Sequence, residues 1–258
     1  MRKHSSLRFF MKNLIRTWWL SCLVVYCFSG SMLKSEETPI SFLQLNKLSD
    51  WESNLGEWTT TSEVKLSKKD ISKFQFNPHK HEERDSTEII LVNGVQGKTK
   101  NLHTKIEHGD VAVHIEFMVP KGSNSGVYLQ GRYEIQILDS HGKKKVNFGD
   151  CGGIYERWEN GKGFEGASPT ANASRPPGRW QTFDAIFRGP KFDKNGNKIS
   201  DAVFERVIHN GVVIHKNVRC SGPTRSASFE NEKATGPIML QGDHGPVAYR
   251  NIWILPLD

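Results

Sequence analysis

The sequence predicts an all-β fold, a sandwich of antiparallel strands. Three observations carry this. Apolar residues recur with period two, most clearly over residues 111–119, the spacing that puts alternate side chains on one face of a strand. The pair Asn210-Gly211 stands between two apolar stretches, a strong signal for a two-residue hairpin turn. No long apolar stripe at helical spacing appears in the 258 residues.

The first 31 residues read as a signal peptide. Arg2, Lys3, Arg8, Lys12 and Arg16 precede an uncharged apolar run over residues 18–28, and Ser29, Gly30 and Ser31 follow. Met11 is an alternative start, because Lys12 and Arg16 would still precede the run; an uncleaved anchor is the rival reading. The run falls short of the ~20 residues a bilayer span needs, so no stable span is expected after cleavage. The expected location is secreted or periplasmic, in a bacterial cell. The formal net charge is +7, and five of those cations lie in the leader, leaving +2. A nearly balanced domain excludes nucleic acid as the expected partner. Cys22 and Cys27 fall in the leader, so Cys151 and Cys220 remain. Two cysteines in an exported domain can form one bridge, and their separation in sequence leaves that open. Neither belongs to a CxxC pair.

Residues 32–39 form a short polar linker, and residues 40–258 are expected to form one β-sandwich domain. An opening strand at 42–45 and a turn containing Trp51 and Trp58 close one end. Residues 67–86 are charged and read as a loop; its His79 and His81 are too few to indicate a metal site. Along 111–119, Val111, Val113, Ile115, Phe117 and Val119 share one face, with Ala112, His114, Glu116 and Met118 on the other. A turn at 120–126 leads to strands at 127–129 and 133–138 with a bend at Gly131. Further strands are expected at 180–188, in a hairpin over 204–215, and at 238–241 and 247–255. Asp193-Lys194-Asn195-Gly196-Asn197 reads as a hairpin turn, since a calcium loop would need a terminal Glu.

The segment 122–141 is the candidate functional patch. Ile135 and Ile137 point one way, and Glu134 and Gln136 the other. Tyr128 and Gln130 supply the polar face of the preceding strand. Such a face suits sugar hydroxyls, which need bidentate polar partners and flat stacking surfaces. It also suits acid–base chemistry through Glu134 and His141.

The chain resembles the 3-keto-disaccharide hydrolase family, formerly DUF1080. The resemblance rests on Phe42-Leu43-Gln44-Leu45-Asn46-Lys47-Leu48-Ser49-Asp50-Trp51, Asn124-Ser125-Gly126-Val127-Tyr128 and Tyr133-Glu134-Ile135-Gln136-Ile137-Leu138-Asp139. It continues through Gly153-Ile154-Tyr155, Arg179-Trp180-Gln181, Leu240-Gln241-Gly242-Asp243-His244-Gly245 and Tyr249-Arg250-Asn251-Ile252. It implies a concanavalin A-like jelly-roll sandwich of two antiparallel sheets, one of them ligand-facing. It also implies cleavage of 3-keto-glycosides, an oligosaccharide or glycoside substrate, by removal of the C2 proton, elimination and hydration. A non-catalytic sugar-binding module on the same fold is the alternative.

Chemistry and motif position nominate Glu134 and His141 as acid and base, with Asp139 orienting His141 or helping to hold a metal. Arg132 or Arg250 would hold the developing enolate. Asn124, Tyr128, Gln136, Tyr155, Gln241 and His244 would contact hydroxyls. No cofactor is required by any motif, and a divalent metal is left open.

Overall fold

The computed structural model describes residues 42–45, 47–52, 54–79 and 89–257. The leader, the linker and His81 lie outside them. Residues 40–258 belong to one compact unit. Among the described residues no helix is long and apolar enough to cross a membrane.

In chain order the strands are β1 (Leu43–Gln44), β2 (Thr59–Thr61), β3 (Val64–Leu66), β4 (Phe74–Phe76), β5 (Ile90–Val92), β6 (Leu102–His108), β7 (Val111–Met118), β8 (Asn124–Leu129) and β9 (Tyr133–Leu138). There follow β10 (Arg157–Glu159), β11 (Lys162–Phe164), β12 (Gln181–Arg188), β13 (Lys191–Phe192), β14 (Lys198–Ser200), β15 (Ala202–His209), β16 (Val212–Cys220), β17 (Gly236–Leu240) and β18 (Ala248–Pro256). A single 3-10 turn, Leu48–Asp50, accompanies them among the described residues.

The fold is a jelly-roll sandwich of antiparallel sheets. The large sheet runs β16-β15-β12-β7-β18-β5-β2, with β1 also on β18; the small sheet runs β6-β17-β8-β9. Period two explains how they stack. Val111, Val113, Ile115 and Phe117 from β7 meet Val127 and Leu129 from β8, and Tyr133, Ile135 and Ile137 from β9, in one core. Phe117 and Phe183 pack at 4.7 Å between centroids. Each such side chain contributes roughly 1.5–3 kcal/mol by leaving water.

The hairpin at Asn210-Gly211 forms as the sequence predicts. Both residues have positive φ, 50° and 86°, which the two-residue turn between right-twisted strands requires. Asp193 also behaves as a turn residue, its carboxylate accepting the N–H groups of Asn195 and Asn197.

One expectation changes. The segment 67–86 is not all loop: β4 lies inside it and pairs with β3. Phe74 and Phe76 flank Gln75 with strand periodicity, and Phe74 is buried with Val64, Ile90, Val92, Met118 and Ala248 in a second, smaller core. Met118 of β7 joins this second core, and Ala112 and His114 on the same face of β7 are also buried. Cys151 and Cys220 are both buried free thiols, so the bridge is absent, and burial pushes each thiol up to about 12.

Candidate active site

The site is assembled on the face of the small sheet that points away from the core. In β9, alternation sends Tyr133, Ile135 and Ile137 inward, so Glu134 and Gln136 point outward. β8 pairs with β9 so that Tyr128 stands opposite Glu134 and Gly126 opposite Gln136. β17 places Met239 opposite Tyr128, and Gln241 donates its N–H to the Gly126 carbonyl. On the other edge of β9, residues 152–155 act as a further strand. Ile154 bridges Ile135, the Tyr155 N–H donates to the Glu134 carbonyl at 3.2 Å, and the Gln136 N–H donates to the Gly153 carbonyl at 2.8 Å. One row across the sheet therefore reads Tyr155, Glu134, Tyr128, Met239. The next reads Gly153, Gln136, Gly126, Gln241.

Two glycines in the second row make a trough. Gly126 is the decisive one: a Cβ there would collide with Glu134 Oε1 and sit 2.9 Å from the Tyr128 ring. The Glu134 carboxyl thus leans diagonally over the bare Cα of Gly126. Its backbone is fixed by Thr224, whose hydroxyl accepts the Glu134 N–H at 3.2 Å. Glu134 is 2% exposed. Burial pushes its pKa up to about 8, the charge of Asp243 adds to the rise, and a hydrogen bond with the Tyr128 hydroxyl opposes it. Near neutral pH Glu134 holds its proton, the condition for a general acid.

Next to Gln241 stands a histidine with an orienting carboxylate, Asp243, whose charge is felt at Glu134. His244 Nδ1 lies 2.5 Å from Asp243 Oδ1 and 3.2 Å from the Gln241 side-chain nitrogen. Nδ1 can donate to Asp243 or accept from the Gln241 amide; in the first tautomer Nε2 carries the free lone pair. His244 is half exposed. On the same face, Gln136 Oε1 and Asn124 Oδ1 are buried with no hydrogen-bond partner among the described residues. Buried acceptors of this kind want donors, and sugar hydroxyls are donors. Tyr155 is half-buried, and burial raises the pKa of its hydroxyl, with the charge of Glu156, and that of Glu134 once it ionises, adding to the rise. Tyr155 and Thr224 also line a cavity of about 200 Å³.

The structure therefore brings together Glu134, Tyr128, Gln136, Asn124, Tyr155, Gln241 and His244. It does not bring the other nominated residues to them. His141 lies beyond the end of β9, exposed, with Nδ1 3.3 Å from the Ser174 carbonyl. Asp139 accepts the Gly122 N–H at 2.9 Å and closes a turn. It is not in hydrogen-bond contact with His141 in the described bonds, so it does not orient that ring. Arg132 sits in the β8–β9 turn and donates to the carbonyls of Asn231, Gln130 and Thr235. Arg250 is on the outer face of the other sheet, where it pairs with Glu116 at 2.7 Å and stacks on Trp180 at 4.0 Å. The common sequence neighbourhood of Arg132, Glu134, Asp139 and His141 is spread along a strand and both its ends. Among the described residues no three His, Cys, Asp or Glu side chains gather in a metal-binding group.

Asp243, Thr224 and Arg225 belong to the site and were not nominated from sequence. The one signal available was Asp243 directly preceding His244. Thr224 and Arg225 lie in a loop with no periodicity to place them.

The sequence matches the 3-keto-alpha-glucoside-1,2-lyase-like domain family over residues 45–255. The chain belongs to that family. It is thereby a carbohydrate-active protein. Among solved structures it is similar to a Parabacteroides distasonis ATCC 8503 protein provisionally named a glycosyl hydrolase. The identity is 27% and the TM-score 0.56, covering 91% of this chain and 100% of that one. A second protein of the same organism and provisional name, at 18% identity and TM-score 0.50, covers 84% of this chain and is itself covered in full. That second likeness concerns the fold alone. No curated protein matches the sequence.

Proposed function

We propose that the protein is an exported enzyme, secreted or periplasmic, that cleaves 3-keto-glycosides, with His244 as base and Glu134 as acid. The observation that carries this reading is Glu134 itself, a carboxyl kept protonated by burial and by the charge of Asp243, the residue that also meets Nδ1 of His244.

The chemistry follows from a ketone at C3, which acidifies the proton on C2. His244 Nε2 takes that proton, and the C2–H electron pair moves into an enolate on the C3 oxygen. The Tyr155 hydroxyl, held protonated, donates a hydrogen bond to that oxygen. The enolate collapses, C1=C2 forms, and the C1–O bond breaks. Glu134 gives its proton to the departing oxygen. Water then adds its hydroxyl to C1 and gives its other proton to the Glu134 carboxylate, while the proton on His244 returns to C2, for net hydrolysis with both residues restored. Gln136 Oε1 and Asn124 Oδ1 accept from the ring hydroxyls. Two carboxylates at glycosidase spacing are not needed for this route.

The test is release of p-nitrophenol from p-nitrophenyl 3-keto-α-glucoside, set against its unoxidised counterpart. The reading expects release from the keto compound, and loss of that release in both Glu134→Gln and His244→Gln. No release by the parent protein, with sugar binding intact, would make it a non-catalytic sugar-binding module.

A further inference from the structure

Trp158 is the one exposed tryptophan among the described residues, at 46%, and no step of the proposed chemistry uses it. It lies on β10, opposite Gly163 of β11. The guanidinium of Arg225 stacks on one face of the indole at 3.9 Å from the ring centroid. A ring covered on one face and still nearly half exposed presents its other face to solvent.

That arrangement is held from several sides. Glu156 pairs with Arg225 at 3.8 Å, and its carbonyl accepts the Arg225 N–H at 2.8 Å. The Glu156 carboxylate lies against Gly163, where a Cβ would collide with it. On the other side of the hairpin Arg157 stacks on Phe164 at 4.7 Å and bonds the Ser221 hydroxyl at 2.5 Å. The hairpin is thus clamped from one side, with Trp158 on the other.

The same residues reach the site. The Arg225 carbonyl lies 3.5 Å from the Tyr128 hydroxyl. Thr224, its chain neighbour, accepts the Glu134 N–H. Tyr155, three residues before Trp158, donates its N–H to the Glu134 carbonyl.

We infer that Trp158, backed by Arg225, is the platform of a second sugar-binding subsite that takes the flat C–H face of the second pyranose ring of a disaccharide. An exposed indole with one face backed by a cation offers a rigid apolar surface of ring size. The Glu156–Arg225 pair that backs it carries no net charge, which fits an uncharged sugar. The inference rests on the site proposed above and adds to it the residue that holds the second ring.

The experiment compares methyl 3-keto-α-glucoside, with one ring, and 3-keto-trehalose, with two. The ratio of their kcat/KM values is measured in the parent and in Trp158→Ala. The platform predicts a parent ratio favouring the disaccharide, reduced roughly tenfold in Trp158→Ala and partly restored in Trp158→Phe. An unchanged ratio overturns it. Calorimetric binding of the same two compounds to Glu134→Gln, with and without Trp158→Ala, reads the subsite without catalysis. Tighter binding of the disaccharide that vanishes with Trp158 supports the platform, and equal binding of both compounds overturns it. If the parent cleaves neither compound, the proposed reaction falls and the calorimetric ratio alone decides the subsite.

Discussion

The carboxyl of Glu134 occupies the space where a side chain on Gly126 would stand. The two residues are diagonal neighbours on paired strands, since Gly126 faces Gln136 and Glu134 faces Tyr128. The absent side chain gives the carboxyl its seat, and the seat is what takes it out of water. Position and protonation state of the acid therefore share one cause.

Gly126→Ala tests that cause. Gly126 is not among the residues with positive φ, so alanine fits the backbone, and the carboxyl of Glu134 and the ring of Tyr128 must move. A displacement near 1 Å at a reacting group costs roughly 10²-fold. The expected result is a loss of kcat of about that size, with the far-ultraviolet circular dichroism of the parent and a modestly lower Tm. A kcat within about twofold of the parent would mean that the carboxyl need not occupy this seat.

The pH profile should carry the signature of a protonated Glu134. With the pKa pushed up to about 8, kcat/KM falls as pH rises through that value, because the acid loses the proton it must donate. Glu134→Gln removes the limb along with roughly 10²–10⁴-fold of the rate. A limb at pH 8 that persists in the Gln variant belongs to another group.

Much of this site is legible from period two alone. Alternation puts Glu134 and Gln136 on one face and Ile135 and Ile137 on the other, and the sheet obeys it: the two isoleucines enter the core between the sheets. What alternation cannot supply is which sheet a distant strand joins. Arg250 sits in a motif as specific as that of Glu134, yet β18 lies in the large sheet and β9 in the small one. His141 is seven residues from Glu134 and beyond the strand end, where no periodicity applies. Tyr155 reaches Glu134 through an isolated bridge at Ile154, made by a segment with no strand pattern of its own. Trp158 and Arg225 are joined only by tertiary packing, for which the sequence has no local signal.

His141→Ala and Asp139→Ala follow from that separation. His141 is exposed and bonded to a backbone carbonyl, and Asp139 closes a turn. Both variants should keep kcat/KM within about twofold for His141 and within about tenfold for Asp139, the second through loosened turn geometry. A 10³-fold loss in His141→Ala would return that residue to the catalytic step.

Asp243→Asn probes the histidine. The carboxylate accepts the Nδ1 proton of His244; an amide can present its nitrogen instead and leave the wrong ring nitrogen protonated. Because the pair is about half exposed, the loss should be roughly ten- to hundredfold in kcat, below that of a buried dyad, with KM little changed. Rescue by Asp243→Glu separates tautomer control from a merely structural role. A loss confined to KM would assign Asp243 to binding.

On the outer face of the large sheet, His114 should make stability depend on pH. Its Nδ1 lies 2.7 Å from Asp184 and its Nε2 4.0 Å from Glu116, which in turn pairs with Arg250. Burial alone would lower the pKa of His114, but the hydrogen bonds and charges of Asp184 and Glu116 outweigh it and raise the value to about 9. The folded chain keeps this proton while the unfolded chain releases it near 6.5, so folding is favoured by the proton below pH 6.5 and that advantage disappears as pH climbs to about 9. The same sign holds for Glu134 over a lower window, from about 4.5 to about 8. Urea midpoints measured from pH 6 to pH 9.5 should fall with pH, and His114→Gln should flatten the upper part of that fall. At pH 6 the variant should be less stable by about 3–5 kcal/mol, because Asp184 and Glu116 are left facing each other without the cation between them. A parent whose midpoint does not fall between pH 7 and 9 would show that His114 is neutral in the folded protein.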